Sequence, residues 1–92
     1  MNSWSLELRP SARKDLSQLG DGPRQSAIDL FQDLAEDPML VPAVELRGKP
    51  GTLRARFHQD RYRMIYQIAK AANHIIVKRI RPRSTAYEGM KN

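Results

Sequence analysis

Apolar and basic residues alternate from Leu53 to Phe57 (Leu-Arg-Ala-Arg-Phe). A second patterned run, Tyr62-Arg63-Met64-Ile65-Tyr66, follows the polar link His58-Gln59-Asp60-Arg61. Alternation with a period of two marks a strand with one buried and one wet face, and two such runs around a short link predict a β-hairpin. With His58 to Arg61 as the turn, Phe57 pairs with Tyr62, Arg56 with Arg63, Ala55 with Met64, Arg54 with Ile65 and Leu53 with Tyr66. One face then holds Leu53, Ala55, Phe57, Tyr62, Met64 and Tyr66 and is expected to be core. The other carries Arg54, Arg56 and Arg63, with two arginines directly opposed. Like charges opposite one another weaken a sheet, so this face is either a solvated surface or a site for something anionic.

The pattern elsewhere is shorter but readable. Trp4, Leu6 and Leu8 alternate with Ser5 and Glu7, predicting a first strand. Ala12, Leu16 and Leu19 recur at helical spacing behind Pro10 and Ser11, with Gly20 as the expected stop. Asp21-Gly22-Pro23 reads as a turn into a second helix, whose apolar stripe is Ala27, Ile28, Phe31, Leu34 and Ala35 and whose end is Asp37-Pro38. Residues 38 to 52 are punctuated by Pro38, Pro42, Gly48, Pro50 and Gly51, and only Val44 to Leu46 suit an extended segment. Ala69 to Asn73 reads as a loop. His74 to Ile80, with Ile75, Ile76, Val77 and Ile80, is a further strand too apolar to be an obvious edge, and pattern alone leaves its register open. Thr85-Ala86-Tyr87-Glu88 fits a capping box that would start a last helical turn. The order is β-α-α-β-β-β: an α+β domain over residues 1–92, with a helical hairpin on one face of a small, mainly antiparallel sheet.

Charge sharpens this picture. The chain carries +6 overall, but residues 1–46 hold 4 Lys/Arg against 8 Asp/Glu, whereas residues 47–92 hold 12 against 2. A basic half of this strength suits phosphate backbones or acidic protein surfaces. Absence of cysteine removes disulfides, thiolate nucleophiles and thiolate metal sites, and two histidines, His58 and His74, make a poor zinc site. No cofactor or metal is therefore expected. Nothing approaches the roughly 18 consecutive apolar residues of a membrane span, and no basic segment with an apolar core opens the chain. The expectation is a cytoplasmic protein with no membrane partner.

Leu46-Arg47-Gly48-Lys49-Pro50, Leu53-Arg54-Ala55-Arg56, Tyr62-Arg63-Met64-Ile65-Tyr66 and the ending Arg81-Pro82-Arg83-Ser84-Thr85-Ala86-Tyr87, taken in this order, resemble the RelE/ParE family of bacterial toxins. The resemblance spans nearly the whole chain and is most specific from Leu46 to Tyr87. It implies the toxin of a type II toxin-antitoxin system. In the RelE-like branch it implies a ribosome-dependent endonuclease that cuts messenger RNA and inhibits translation, with ribosome, messenger RNA and a cognate antitoxin as partners and a toxin-antitoxin hetero-oligomer as the stored form. The site residues it implies are Arg54, Arg56, Arg63, Arg81, Arg83 and Tyr87. Arg81 and Arg83 are both included because spacing to the tyrosine varies in the family. Two alternatives share the fold: a ParE-like inhibitor of DNA gyrase, and an attenuated toxin that only binds its antitoxin.

The chemistry can be weighed without the family. Metal-independent cleavage of RNA needs an activated 2′-hydroxyl, a stabilised phosphorane and a leaving 5′-oxygen relieved of its charge. Guanidiniums suit the second task, because they pair bidentately with phosphate and stay charged; for the same reason they are poor proton acceptors. Better-known RelE proteins have lysines where Arg54 and Arg56 stand, which leaves the general base open; His58 and Glu45 are the nearby titratable groups. Tyr87 would stack on a base. Tyr62, Tyr66, Trp4 and the stripe Ile28, Phe31, Leu34 are expected in the core, His74 in a structural role, and Lys49 on the surface.

Overall fold

The structure, a computed structural model, describes residues 4–85. Its elements are β1 (Ser5–Leu8), α1 (Pro10–Ser17), α2 (Asp21–Glu36), a 3-10 turn (Pro38–Leu40), β2 (Val44–Glu45), β3 (Thr52–Phe57), β4 (Tyr62–Ala69), a 3-10 turn (Lys70–Ala72), β5 (His74–Pro82) and a last 3-10 turn (Arg83–Thr85). The five strands form one sheet in the order β1-β5-β4-β3-β2, with β1 parallel to β5 and the other pairs antiparallel. The predicted α+β order therefore gains one element. Val44–Glu45, the extended piece of the connector, pairs with Leu53 and Arg54 as a two-residue edge strand.

The hairpin adopts the predicted register at all five pairs and adds Thr52 opposite Gln67. Its inward face forms the core with both helices. Ala55, Phe57, Met64, Tyr66, Ile75, Val77 and Ile80 pack with Ala12, Leu19, Ala27, Leu30 and Leu34, and Trp4, Phe31, Leu53 and Tyr62 close in from the margin. The stripe of α2 is rotated from the predicted one. Leu30 is buried with Ala27, Leu34 and Ala35, whereas Ile28 and Phe31 are only half buried. Sequence periodicity places an apolar arc to within about one residue, and the sheet beneath selects its centre.

Two helix boundaries also differ from expectation. Asp21-Gly22-Pro23 is the first turn of α2, since a proline there gives up an N–H that has no helical partner anyway. Gly20 is the N-cap of α2, with φ −68, and α1 has already ended at Ser17. The capping box falls at the edge of the described residues: Thr85 closes a 3-10 turn, and 86–88 lie outside them.

The register of β5 was hidden by a bulge. Ile65 pairs with Arg79 while Tyr66 pairs with Val77, so Lys78 is an extra residue and both Val77 and Ile80 face inward. At the same point β1 ends, since its last pair is Leu8 with Val77. The edge of β5 beyond is covered by α1. Ser11 Oγ donates to the Lys78 carbonyl at 2.9 Å, and the buried Asp15 carboxylate accepts from the Ile80 backbone N–H at 3.0 Å and from Arg79 Nε at 2.9 Å. This hydrogen bond with Asp15 raises the Arg79 pKa further above its ordinary value. At the other end of the β1–β5 pair, Ser5 Oγ lies 2.6 Å from His74 Nδ1, and His74 Nε2 lies 2.9 Å from Glu7, so His74 is a polar clip between strands.

Asp15 therefore holds an edge N–H and a cation at once, and Asp15→Ala is expected to lower the unfolding free energy by about 2 kcal/mol or more in chemical denaturation. Tyr66 offers the opposite case. It is fully buried, its hydroxyl has no hydrogen-bond partner among the described residues, and burial pushes its pKa up to about 12. Because the folded value is the higher one, the unfolded tyrosine ionises first, and stability is expected to fall as pH rises from about 10 towards 12. Tyr66→Phe should be at least as stable as the parent near neutral pH and should show a shallower loss in alkaline denaturation curves.

Candidate functional site

The face of the sheet turned away from the helices carries the basic residues. Register places Arg56 opposite Arg63, and Arg63 opposite Arg81 on the next strand, so three arginines form one row across β3, β4 and β5. The neighbouring row is Arg54, Ile65 and Arg79. Ile65 is fully buried in this row, flanked by two half-buried arginines whose aliphatic stems are long enough to cover it. Arg79 is committed to Asp15, which leaves Arg54, Arg56, Arg63 and Arg81 on the strands and Arg83 on the turn that follows.

The members of the row differ in access. Arg63 is buried, its side chain only 6% exposed, and its Nη1 bonds the Asp60 carboxylate at 3.0 Å, the Asp60 carbonyl at 3.0 Å and the Tyr62 carbonyl at 3.2 Å. Arg56 and Arg83 are 58% and 67% exposed and reach the same carboxylate more loosely, through Arg56 Nε at 3.5 Å and Arg83 Nη1 at 3.9 Å. Arg54 and Arg81 are intermediate. Tyr87 lies outside the described residues, so the structure brings together five of the six predicted site residues and says nothing of the sixth.

The group that gathers these arginines is Asp60, which sequence reasoning passed over. It sits in a turn where His58, Gln59 and Asp60 have φ of 53, 59 and 66, three successive left-handed residues without a glycine. Each costs on the order of 1 kcal/mol, so the turn needs anchoring. His58 provides it on the helical side, with Nδ1 2.9 Å from Ser26 Oγ on α2 and its ring edge-on to Tyr62. The arginines provide it on the other side, and the Arg83 N–H donates to the Arg61 carbonyl at 2.9 Å, docking the chain after β5 onto the same turn. The signal in the sequence was a single acidic residue inside the hairpin link, flanked by arginines at positions 56, 61 and 63.

Neither titratable neighbour considered from sequence faces the arginine row. His58 is turned to α2, and Glu45 accepts from the Gly51 backbone N–H at 2.8 Å, closing the glycine-proline loop. Among the described residues no three His, Asp or Glu side chains gather in a way that could hold a metal ion.

Two depressions border the site. The larger, about 920 Å³, runs between α2 and β3, with Asp29, Asp33 and Glu36 on one wall and Arg54 and Arg56 on the other. Its acidic wall repels a polyanion. The smaller, about 380 Å³, lies between the hairpin turn and the segment after β5, lined by Gln59, Asp60, Arg61, Pro82, Arg83 and Ser84. Although smaller, it is the better seat for a phosphate group, because both guanidiniums and open solvent meet there.

Comparison with known proteins gives three kinds of result. A family model described as the ParE toxin of type II toxin-antitoxin systems, parDE, matches residues 6–87. No curated protein is similar enough to match. Among solved structures, the toxin-antitoxin complex RelBE2 from Mycobacterium tuberculosis is 27% identical, covering 87% of this chain and 98% of that one, with a TM-score of 0.75. The isolated RelE toxin of E. coli is 21% identical over 87% of this chain and 84% of that one, with a TM-score of 0.76. The archaeal RelE-RelB complex from Pyrococcus horikoshii is 18% identical over 91% and 99%, with a TM-score of 0.72. At these last two identities the likeness speaks to the fold.

The unequal burial of the arginines separates structural from surface roles. Arg56→Ala and Arg83→Ala are expected to leave the unfolding free energy within about 0.5 kcal/mol of the parent, whereas Arg63→Ala should lose about 2 kcal/mol, as measured by denaturant titration.

Proposed function

Because the chain belongs to the ParE toxin family of type II toxin-antitoxin systems, within the wider RelE/ParE group, we propose that it arrests growth as a ribosome-dependent endonuclease of messenger RNA. The observation that supports this reading is the row Arg56, Arg63 and Arg81, with Arg54 and Arg83 beside it, on one face of the sheet. Five guanidiniums so arranged are a costly surface for any other purpose, and they match the charge demand of phosphoryl transfer.

In this reading the exposed Arg56 and Arg83, with Arg81 at the β5 end of the row, hold the non-bridging oxygens of the scissile phosphate as the 2′-oxygen attacks in line. Their attraction grows as charge accumulates on the phosphorane, which is what lowers the barrier. Arg63, held by Asp60 and two carbonyls, supplies a fixed positive background and keeps the row in register. Tyr87 stacks on a neighbouring base and helps to set the in-line angle. Arginine does not take up the hydroxyl proton at cellular pH, so that proton passes to water as the 2′-oxygen–phosphorus bond forms, the phosphorus–5′-oxygen bond breaks, and the leaving 5′-oxygen takes a proton from water; the geometry imposed on the message within the ribosome supplies the in-line approach. The site works in the cytoplasm, and a cognate antitoxin, bound in a hetero-oligomer, covers the basic face in storage. Toxin-antitoxin complexes among the solved structures of similar fold support such a partner.

A second reading, inhibition of DNA gyrase, is favoured by the name of the matching family model. One experiment separates the two. Induced expression in a bacterial host, with mapping of messenger RNA 5′ ends, is expected to give rapid arrest and cuts in translated messages. Arg56→Ala and Tyr87→Ala should each reduce cutting about tenfold or more. Arrest without cuts, together with inhibition of purified gyrase, would establish the second reading, and absence of arrest would leave an attenuated toxin that binds its antitoxin.

A further inference from the structure

Among the described residues, Asp60 is a carboxylate that pairs with Arg56, Arg63 and Arg83 together, and its contacts are graded. The bond to Arg63 is short, buried on the arginine side and backed by two carbonyls. Those to Arg56 and Arg83 are longer, at 3.5 and 3.9 Å, between side chains about half or more exposed. Exposed pairs of this kind contribute little and exchange readily, whereas a carboxylate paired with a buried cation stays in place. Asp60 also lines the hollow between the turn and the segment after β5, with Arg83 on the opposite side.

We propose that Asp60 is a built-in stand-in for a substrate phosphate, a positioning residue that gathers Arg56, Arg63 and Arg83 in the ligand-free protein. An incoming RNA phosphodiester carries one charge, as the carboxylate does, but its two non-bridging oxygens are free to approach Arg56 and Arg83 at shorter range than the 3.5 and 3.9 Å contacts to Asp60; it takes these two arginines, and Asp60 keeps Arg63. The carboxylate offsets repulsion among the arginines before binding and competes weakly with the ligand afterwards. It therefore trades some affinity for a preassembled site, the arrangement that spares reorganisation when charge develops. The inference rests on reading this face as a phosphate-binding surface and does not require that RNA be cut.

The test uses a short 2′-O-methylated RNA, which cannot be cleaved through its 2′-oxygen, so binding is read apart from activity. Asp60→Asn keeps an uncharged acceptor for Arg63, and a thermal melt checks its fold. It is expected to bind this RNA about threefold to tenfold more tightly than the parent at low salt. The salt dependence should also steepen, by up to about 0.7 in the log-log slope for each arginine released. A folded variant with unchanged or weaker binding and an unchanged slope would overturn the proposal, since a purely structural carboxylate has no reason to alter the slope. A second measurement needs no variant. In the parent protein, titration with inorganic pyrophosphate should move the Arg56 Nε–H resonance and leave that of Arg63 in place; movement of both together, or of neither, would also overturn it. A protein that behaves as expected here but cuts no message would sink the nuclease reading and leave the role of Asp60 standing.

Discussion

Arg56, Arg63 and Arg81 lie side by side on adjacent strands, and the sheet must hold together against their mutual repulsion. The arrangement survives because each arginine is treated differently. The central one is withdrawn from water and given three oxygen acceptors on a single nitrogen, while Arg56 and Arg83 remain in high dielectric, where like charges interact weakly. The central cation in turn requires a carboxylate at close range. That requirement explains why a turn of three left-handed residues is tolerated, since only a tight reversal brings Asp60 back under the strand it has just left.

The two faces of the sheet are coupled through this turn. His58 reaches down to α2 and Asp60 reaches across to the arginines, so the helical layer and the basic face are fastened within one turn. A second fastening, Asp15 with Arg79 and Ile80, does the same at the far end of α1. Both use one carboxylate to satisfy an arginine together with a second group, a backbone N–H at Asp15 and further arginines at Asp60. The acidic N-terminal half and basic C-terminal half of the chain are thus joined in part by specific ion pairs, and Asp15 with Arg79 spans the two halves.

What could be read in advance depended on whether the information was local. The hairpin register was legible because alternation around the link His58 to Arg61 puts Leu53, Ala55, Phe57, Tyr62, Met64 and Tyr66 on one face, with Ile65 as the apolar exception on the other. The family was legible for the same reason, since its motifs are short and contiguous. The register of β5 was not, because the extra residue Lys78 breaks the period where the whole segment is apolar or basic. The centre of the α2 stripe depended on the sheet beneath it. Asp15 and Asp60 were missed because an acidic residue on a helix or in a turn is ordinarily solvated; only tertiary proximity to Arg79 and to Arg63 gives these two their meaning.

The parallel pairing of β1 with β5 joins residues near opposite ends of the chain, Ser5 beside His74 and Leu8 beside Val77. During synthesis the first strand therefore waits, without its sheet neighbour, until β5 has been made. Contacts so distant in sequence close slowly, because the entropy of the intervening loop is lost before the pairing repays it. Arg79 and Arg81 follow within a few residues of that pairing, so the sheet is completed and the basic face acquires its last strand in the same late step. Until β5 emerges, a nascent chain of this protein consequently has neither a finished fold nor a finished site.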